Sequence, residues 1–141
     1  DEAKKLAMFS TRISTLMAMV FLGILIAIGY PLLNLLNPQI VKLGMAVLVA
    51  DILLELGRSR NLVLVNALRA AGDVRYPLYV GLFSMWFFSV GVSWLLGIQL
   101  GMGLAGIWLG LGLDECFRAV GMQIRWNRGT WTRYVLQNQE I

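Results

Sequence analysis

Residues 76–97 read YPLYVGLFSMWFFSVGVSWLLG, and none of these 22 side chains is charged. A helix rises about 1.5 Å per residue and the hydrocarbon core of a bilayer is about 30 Å thick, so roughly 20 apolar residues suffice to cross it. The run lies in a chain of 141 residues that is 58% hydrophobic, with a mean hydropathy of +0.71. Soluble domains are nearer about 45–50% apolar. The pattern predicts an integral membrane protein, whose function should reside in the few polar residues placed inside its spans.

Three further runs accompany it. ISTLMAMVFLGILIAIGYPLLNLL at 13–36 carries no charge, and GLAGIWLGLGLDECFRAVGMQI at 103–124 carries only Asp114, Glu115 and Arg118. Residues 40–71 are mostly apolar but are interrupted by Asp51, Glu55, Arg58 and Arg60. The expected fold class is all-α and polytopic, with four transmembrane helices at about 13–36, 40–71, 76–97 and 103–125 and an interfacial tail at 126–141. Short connections at Asn34–Gln39, Ala71–Arg75 and Ile98–Gly103 predict that sequential helices pack as antiparallel neighbours. The first apolar run is too long for a signal peptide and lacks a small-residue cleavage site.

Flanking cations set the orientation. Lys4, Lys5, Arg12, Arg69, Arg75, Arg125, Arg128 and Arg133 fall on one side of the four spans, and Lys42 falls alone on the other. Both termini are therefore expected to be cytoplasmic, in the plasma membrane. The net charge of +4 reflects this bias, with anionic lipid headgroups as the partner and no nucleic-acid motif in the chain. In the tail, Trp126, Trp131 and Tyr134 alternate with arginines, which suits an interfacial anchor.

The chemistry of an enzyme is hard to assemble from these residues. Histidine is absent, so the usual proton shuttle and the commonest metal ligand are missing. No nucleophile–base pair, phosphate-cradling loop or defensible metal-site spacing is present, and no cofactor is expected. Cys116 is a lone thiol inside a span and reads as a small packing residue.

The intramembrane polar set is what remains. At about 100° per residue, Asp51, Glu55, Arg58, Asn66 and Arg69 fall within an arc of roughly 80°. Ionisable groups at membrane depth cost about 2.5–3.5 kcal/mol each on insertion scales, so they normally face a bundle interior or a water-filled cavity. Glu55 and Arg58 are one turn apart and within pairing reach. Arg60 points to the opposite side of the wheel; either Gly57 and Ser59 bend the helix there, or Arg60 finds a partner on another span. In the fourth span Asp114 and Arg118 are spaced i,i+4, and Glu115 precedes Arg118 by three residues. Asp114 and Glu115 point about 100° apart, so one of them shares a face with Arg118 and the other is free to reach a neighbouring helix. Interhelical ion pairs and a titrating carboxylate coupled to ion movement both fit this set. Small residues at Gly97/Gly101, Gly106/Gly110 and Gly23/Ala27 mark close helix packing within the chain.

Two stretches carry a resemblance. ELGRSRNLVLVNALRAAGDVRYPLYVGLFSMW at 55–86, and then GLAGIWLGLGLDECFRAVGMQIRW at 103–126, resemble the C-terminal part of multidrug and toxin extrusion (MATE) transporters. The most specific piece is NALRAAGDVRYP at Asn66–Pro77, which matches the loop after the family's tenth helix; the likeness covers roughly residues 1–128. It implies that the four spans are helices nine to twelve of a twelve-helix transporter built as two six-helix lobes. Such a transporter exchanges organic, often cationic, small molecules for protons or sodium ions. The missing N-terminal lobe is then a partner, and because Asp1 is not a methionine a fragment is expected. Relatives carry a cation-site acid in helix ten near the place of Arg58. The resemblance thus makes Glu55 the first coupling candidate, with Arg58, Asp51, Asn66, Asp114, Glu115 and Arg118 as further residues of the ion and substrate pathway. The alternatives are a self-standing four-helix membrane scaffold and a lipid or oligosaccharide flippase of the same superfamily, to which Arg58, Arg60 and Arg118 are suited.

Overall fold

The computed structural model describes residues 2–133, and these form four long helices joined by tight turns. Helix α1 spans Glu2–Leu36, α2 Val41–Ala70, α3 Arg75–Gln99 and α4 Gly103–Arg128. The first helix begins well before its apolar run, because Lys4, Lys5 and Arg12 extend it past the bilayer edge without breaking it. It stops at Asn37, whose side chain accepts the Gln39 N–H at 3.0 Å while Pro38 opens a single 3₁₀ turn, Pro38–Ile40. At the end of α2, Gly72 adopts φ 90°, which lets the Asp73 N–H reach back to the Leu68 carbonyl at 2.9 Å. That is the glycine-dependent helix stop expected of a left-handed C′ residue.

Packing departs from simple sequential order. α1 lies antiparallel on α2, with Thr15 against Ser59 and Gly44 against Leu33. α3 barely touches α2 and packs antiparallel on α4 instead, pairing Tyr76 with Gly121 and Ser93 with Ile107. The central seam joins α2 to α4. Along it Asp51 meets Trp108, Gly57 meets Cys116, and Leu64 and Leu68 share a core with Met122 and Trp126. Residue numbers rise together on both sides, so α2 and α4 are parallel. A short loop therefore did not make α2 and α3 packed neighbours, because the small residues that admit a second backbone sit at the α2–α4 and α3–α4 contacts.

Glycine decides how close those backbones come. A methyl group on Gly57 would lie 2.5 Å from the Cys116 nitrogen and 2.7 Å from the Glu115 carbonyl carbon. One on Gly106 would lie 2.8 Å from the Leu96 carbonyl carbon, and Gly110 is pressed equally close against Ser93. Cys116 itself fills this seam, its thiol directed at the Leu53 carbonyl at 3.5 Å. Gly23, by contrast, has nothing near it.

Polarity is distributed the reverse of a soluble bundle. Among the described residues, α1 and α3 are the two helices long and apolar enough to cross a membrane by length and composition. They flank the bundle and leave Phe9, Leu16, Val20, Tyr79, Trp86 and Phe87 exposed. α2 and α4 form the central pair, with Asp114 buried and Arg58, Arg60 and Arg69 at its edges. A lipid solvent favours this arrangement, since apolar faces need no covering and charges do.

The tail requires a correction. α4 continues through Arg128, and Gly129 at φ 69° turns the chain back. Trp131 then stacks on Trp126 with ring centroids 4.4 Å apart and donates its indole N–H to the Trp126 carbonyl at 3.0 Å. Both rings are buried against Ala7, Leu64 and Leu68. These tryptophans are core residues rather than interfacial anchors, because the left-handed glycine folds the start of the tail onto the bundle. Tyr134 lies outside the described residues.

Gly57→Ala is expected to destabilise the bundle by about 1–3 kcal/mol, since backbone atoms of α4 must move to admit the methyl group. Gly23→Ala should be neutral or slightly stabilising, as alanine is the better helix former. Thermal unfolding of the two variants in detergent micelles measures the contrast.

Candidate functional site

Asp114 is the most heavily engaged charge among the described residues. It is 4% exposed and sits one turn before Arg118, whose Nε and Nη2 reach its two carboxylate oxygens at 3.0 and 2.7 Å. Ser84 donates to Asp114 Oδ1, and Ser89 donates to Oδ2 at 2.7 Å. A buried ion pair is tolerated only when further hydrogen bonds satisfy its remaining lone pairs, and here the serines do so.

The two serines reach one carboxylate because α3 is not a regular helix. They are five residues apart, which on an α-helix places them about 140° from each other. Met85–Val92 and Leu95–Gln99 are π-helical, and i→i+5 closure brings residues five apart back towards one face. Ser93 continues the polar line, donating to the Ile107 carbonyl at 3.1 Å. Sequence reasoning treated 76–97 as a plain apolar span and missed these serines. The available signal was their five-residue spacing opposite an acid, which an α-helical wheel scatters.

Glu115, rotated away from Arg118, accepts the Asn61 side-chain N–H at 2.8 Å and so ties α4 to α2. This division of Asp114 and Glu115 between two partners is what a helix of 3.6 residues per turn requires. Asn61, Asn66, Arg69, Glu115, Arg118 and Met122 line an open cleft of about 360 Å³ between α2 and α3, with α4 as its floor. The buried Asn61 Oδ1 has no hydrogen-bond partner among the described residues.

The remaining candidates lie beyond this cleft. Asp51 accepts the Trp108 indole N–H at 2.8 Å, nearer the Val41 end of α2. Glu55 and Arg58 pair at 3.6 Å, but their side chains are 27% and 54% exposed. They flank the α2–α4 seam rather than face it, because Leu54, Gly57 and Asn61 occupy the packed side of α2. Arg60 makes no ion pair with any described carboxylate and lines a separate groove with Arg12. Sequence reasoning also passed over Asp73, which is 1% exposed and takes a 2.7 Å bond from Arg125 Nε. Arg125 in turn lies over the Tyr76 ring at 4.8 Å, clamping the α2–α3 turn onto α4.

An all-helical bundle with two membrane-length apolar outer helices and a polar cleft beside a buried ion pair defines the class as an all-helical membrane protein segment. The sequence matches the MatE family over residues 1–95, and the chain belongs to that family. It is 41% identical to the uncharacterized transporter YisQ of Bacillus subtilis over 95 residues, covering 67% of this chain and 21% of that protein. It is 35% identical to the probable multidrug resistance protein NorM of Brucella suis over 116 residues, covering 80% of this chain and 23% of that protein. NorM of a Synechococcus strain is 36% identical over 90 residues, 63% of this chain and 19% of that protein. The chain thus spans about a fifth of the length of the curated relatives it matches. No solved structure matches it.

Removing one partner of a buried pair leaves the other charge uncompensated, at a cost of about 3–5 kcal/mol. Arg118→Ala is accordingly expected to destabilise more than the double change Arg118→Ala/Asp114→Asn. Comparing melting temperatures of the two variants and the parent in detergent checks the order.

Proposed function

We propose that the chain is part of the C-terminal lobe, about helices nine to twelve, of an efflux transporter. The transporter exchanges organic, often cationic, compounds for protons or sodium ions across the plasma membrane. One observation carries this reading: the likeness to relatives named multidrug resistance proteins extends over 80% of the chain. The N-terminal lobe is the partner, since alternating access needs two bundles rocking about a site between them.

The cleft chemistry supports a cationic substrate. Asp114 cancels the charge of Arg118, leaving Glu115, which accepts one bond from Asn61, as the carboxylate in the cleft lining that can accept an N–H of the ligand. Asn66 and Arg69 stand at the cleft wall. Asp114 is a structural anchor in this scheme, as its oxygens are already committed to Arg118, Ser84 and Ser89. Glu55, with a single long ion pair and partial exposure, is the least committed acid of α2 and the first coupling candidate. Arg58 tunes it, and Asp51 and Glu115 are next in line.

Both ends of the described chain lie at one end of the bundle: the Lys4 ammonium donates to the Asn127 carbonyl at 3.3 Å. The Asp73 turn docks there on Arg125. The cations gathered at that end support a cytoplasmic location for it.

Glu55→Gln in the full-length transporter is expected to abolish substrate-driven proton or sodium exchange in proteoliposomes while expression stays near normal. Undiminished exchange would demote Glu55 to a structural partner. Orientation is read independently from an impermeant thiol reagent on intact cells. A cysteine replacing Gln39 should label and one replacing Arg75 should be protected; the reverse pattern would invert the topology.

A further inference from the structure

On the face of α2 opposite the cleft, a second groove of about 670 Å³ runs between α1 and α4. Arg60 points about 170° away from the mean direction of the cleft-lining residues of α2, so the two openings do not communicate along that helix. Its polar lining includes Arg12, Arg60, Gln123 and Asn127 with Thr11 and Thr15, and its apolar lining is Met8, Leu16 and Met19. The lining holds two guanidiniums and no carboxylate, and neither arginine makes an ion pair with a described acid. Lys4 adds a third cation at the mouth through its bond to Asn127.

Two cations facing one groove repel each other and require an anion, most strongly where the surroundings are apolar. Their depths differ. Arg12 immediately precedes the apolar run of α1, whereas Arg60 lies ten residues, about 15 Å of helix, from the end of α2 at Ala70. The polar wall continues into the exposed apolar face of α1 at Leu16 and Val20. An occupant that fits this sequence of surfaces carries a negative charge at one end and a hydrocarbon chain at the other.

We propose that this groove binds the phosphate headgroup of an anionic lipid. Arg60 and Arg12 hold the phosphate, the Asn127 amide N–H offers a neutral contact beside it while Gln123 donates to Asn127 Oδ1 and Met8 Sδ, and an acyl chain lies along Leu16 and Met19. Guanidinium donors suit phosphate oxygens because they form paired, charge-assisted hydrogen bonds. The site draws the headgroup below the ordinary interface and fills the groove lined by α1, α2 and α4. It does not depend on the efflux reading, since it uses neither the cleft nor Glu55.

The test uses the full-length protein carrying this segment, purified in detergent and titrated separately with phosphatidylglycerol, phosphatidylcholine and inorganic phosphate. Phosphatidylglycerol should raise the melting temperature saturably, with little effect of the other two. Arg60→Gln should weaken the apparent lipid affinity by about tenfold or more, the loss of a charge-assisted contact, and Arg60→Lys should restore part of it. An equal response to inorganic phosphate would make this a free-anion site and overturn the lipid assignment. Photo-crosslinking of the parent protein with a headgroup-diazirine phosphatidylglycerol provides a measurement that needs no variant to fold. Adducts at residues 8–19 and 123–127 support the site. Adducts confined elsewhere, or an Arg60→Gln protein with unchanged lipid affinity, overturn it and point to an acidic side chain from another helix as the counter-ion.

Discussion

The parallel seam between α2 and α4 is the contact to which the other elements are fitted. It exists because Gly57 and Gly112 remove the side chains that would hold the two backbones apart, with Gly57 lying almost against the Glu115–Cys116 peptide. Lipid tails are as apolar as leucine, so helices in a membrane gain little from burying hydrocarbon and associate through close contact and hydrogen bonds. At this seam both operate together. The glycines bring the backbones together, and that approach puts Asn61 within 2.8 Å of Glu115 and Trp108 within 2.8 Å of Asp51.

The outer helices are attached to this pair by different means. α1 is attached by the Thr15–Ser59 contact, by leucines seated on Gly29 and Gly44, and by its N-terminal turns, where Ala7 joins the tryptophan-capped core. α3 is held by its serines. Its π-helical turns give up regular geometry in exchange for directing Ser84 and Ser89 at one carboxylate, an arrangement frequent at functional positions. The Asp114–Arg118 pair is thus shared property: Arg118 lines the cleft, Asp114 anchors α3, and neither charge is left unsatisfied. This is how a strongly charged helix can occupy the middle of a bundle whose exterior is hydrocarbon.

The architecture was legible in large part from the chain itself. Apolar run lengths fixed the number of helices. The i,i+4 spacing of Asp114 and Arg118 allowed their pair, and the 100° offset between Asp114 and Glu115 meant that one of the two would turn toward another helix. The neighbour relations were not legible. Nothing local distinguishes a glycine that contacts α4, such as Gly57, from one that contacts nothing, such as Gly23. Nor does the tail composition reveal that Trp131 folds back onto Trp126, since aromatic rings beside arginines are equally suited to a headgroup layer.

By itself the sequence determined that this chain is all-helical, membrane-embedded and charged along specific helix faces, because those properties follow from composition and from a fixed 3.6-residue period. The tertiary structure alone decided which faces meet. It placed α2 beside α4 rather than α3 and brought serines five residues apart onto one acid. It also left Arg60 and Arg12 without an ion pair to a described carboxylate while committing Arg118 to one. The reason is physical: a helix period specifies directions about one axis. The distances between axes are set by side chains on both partners at once, and no single stretch of sequence contains both.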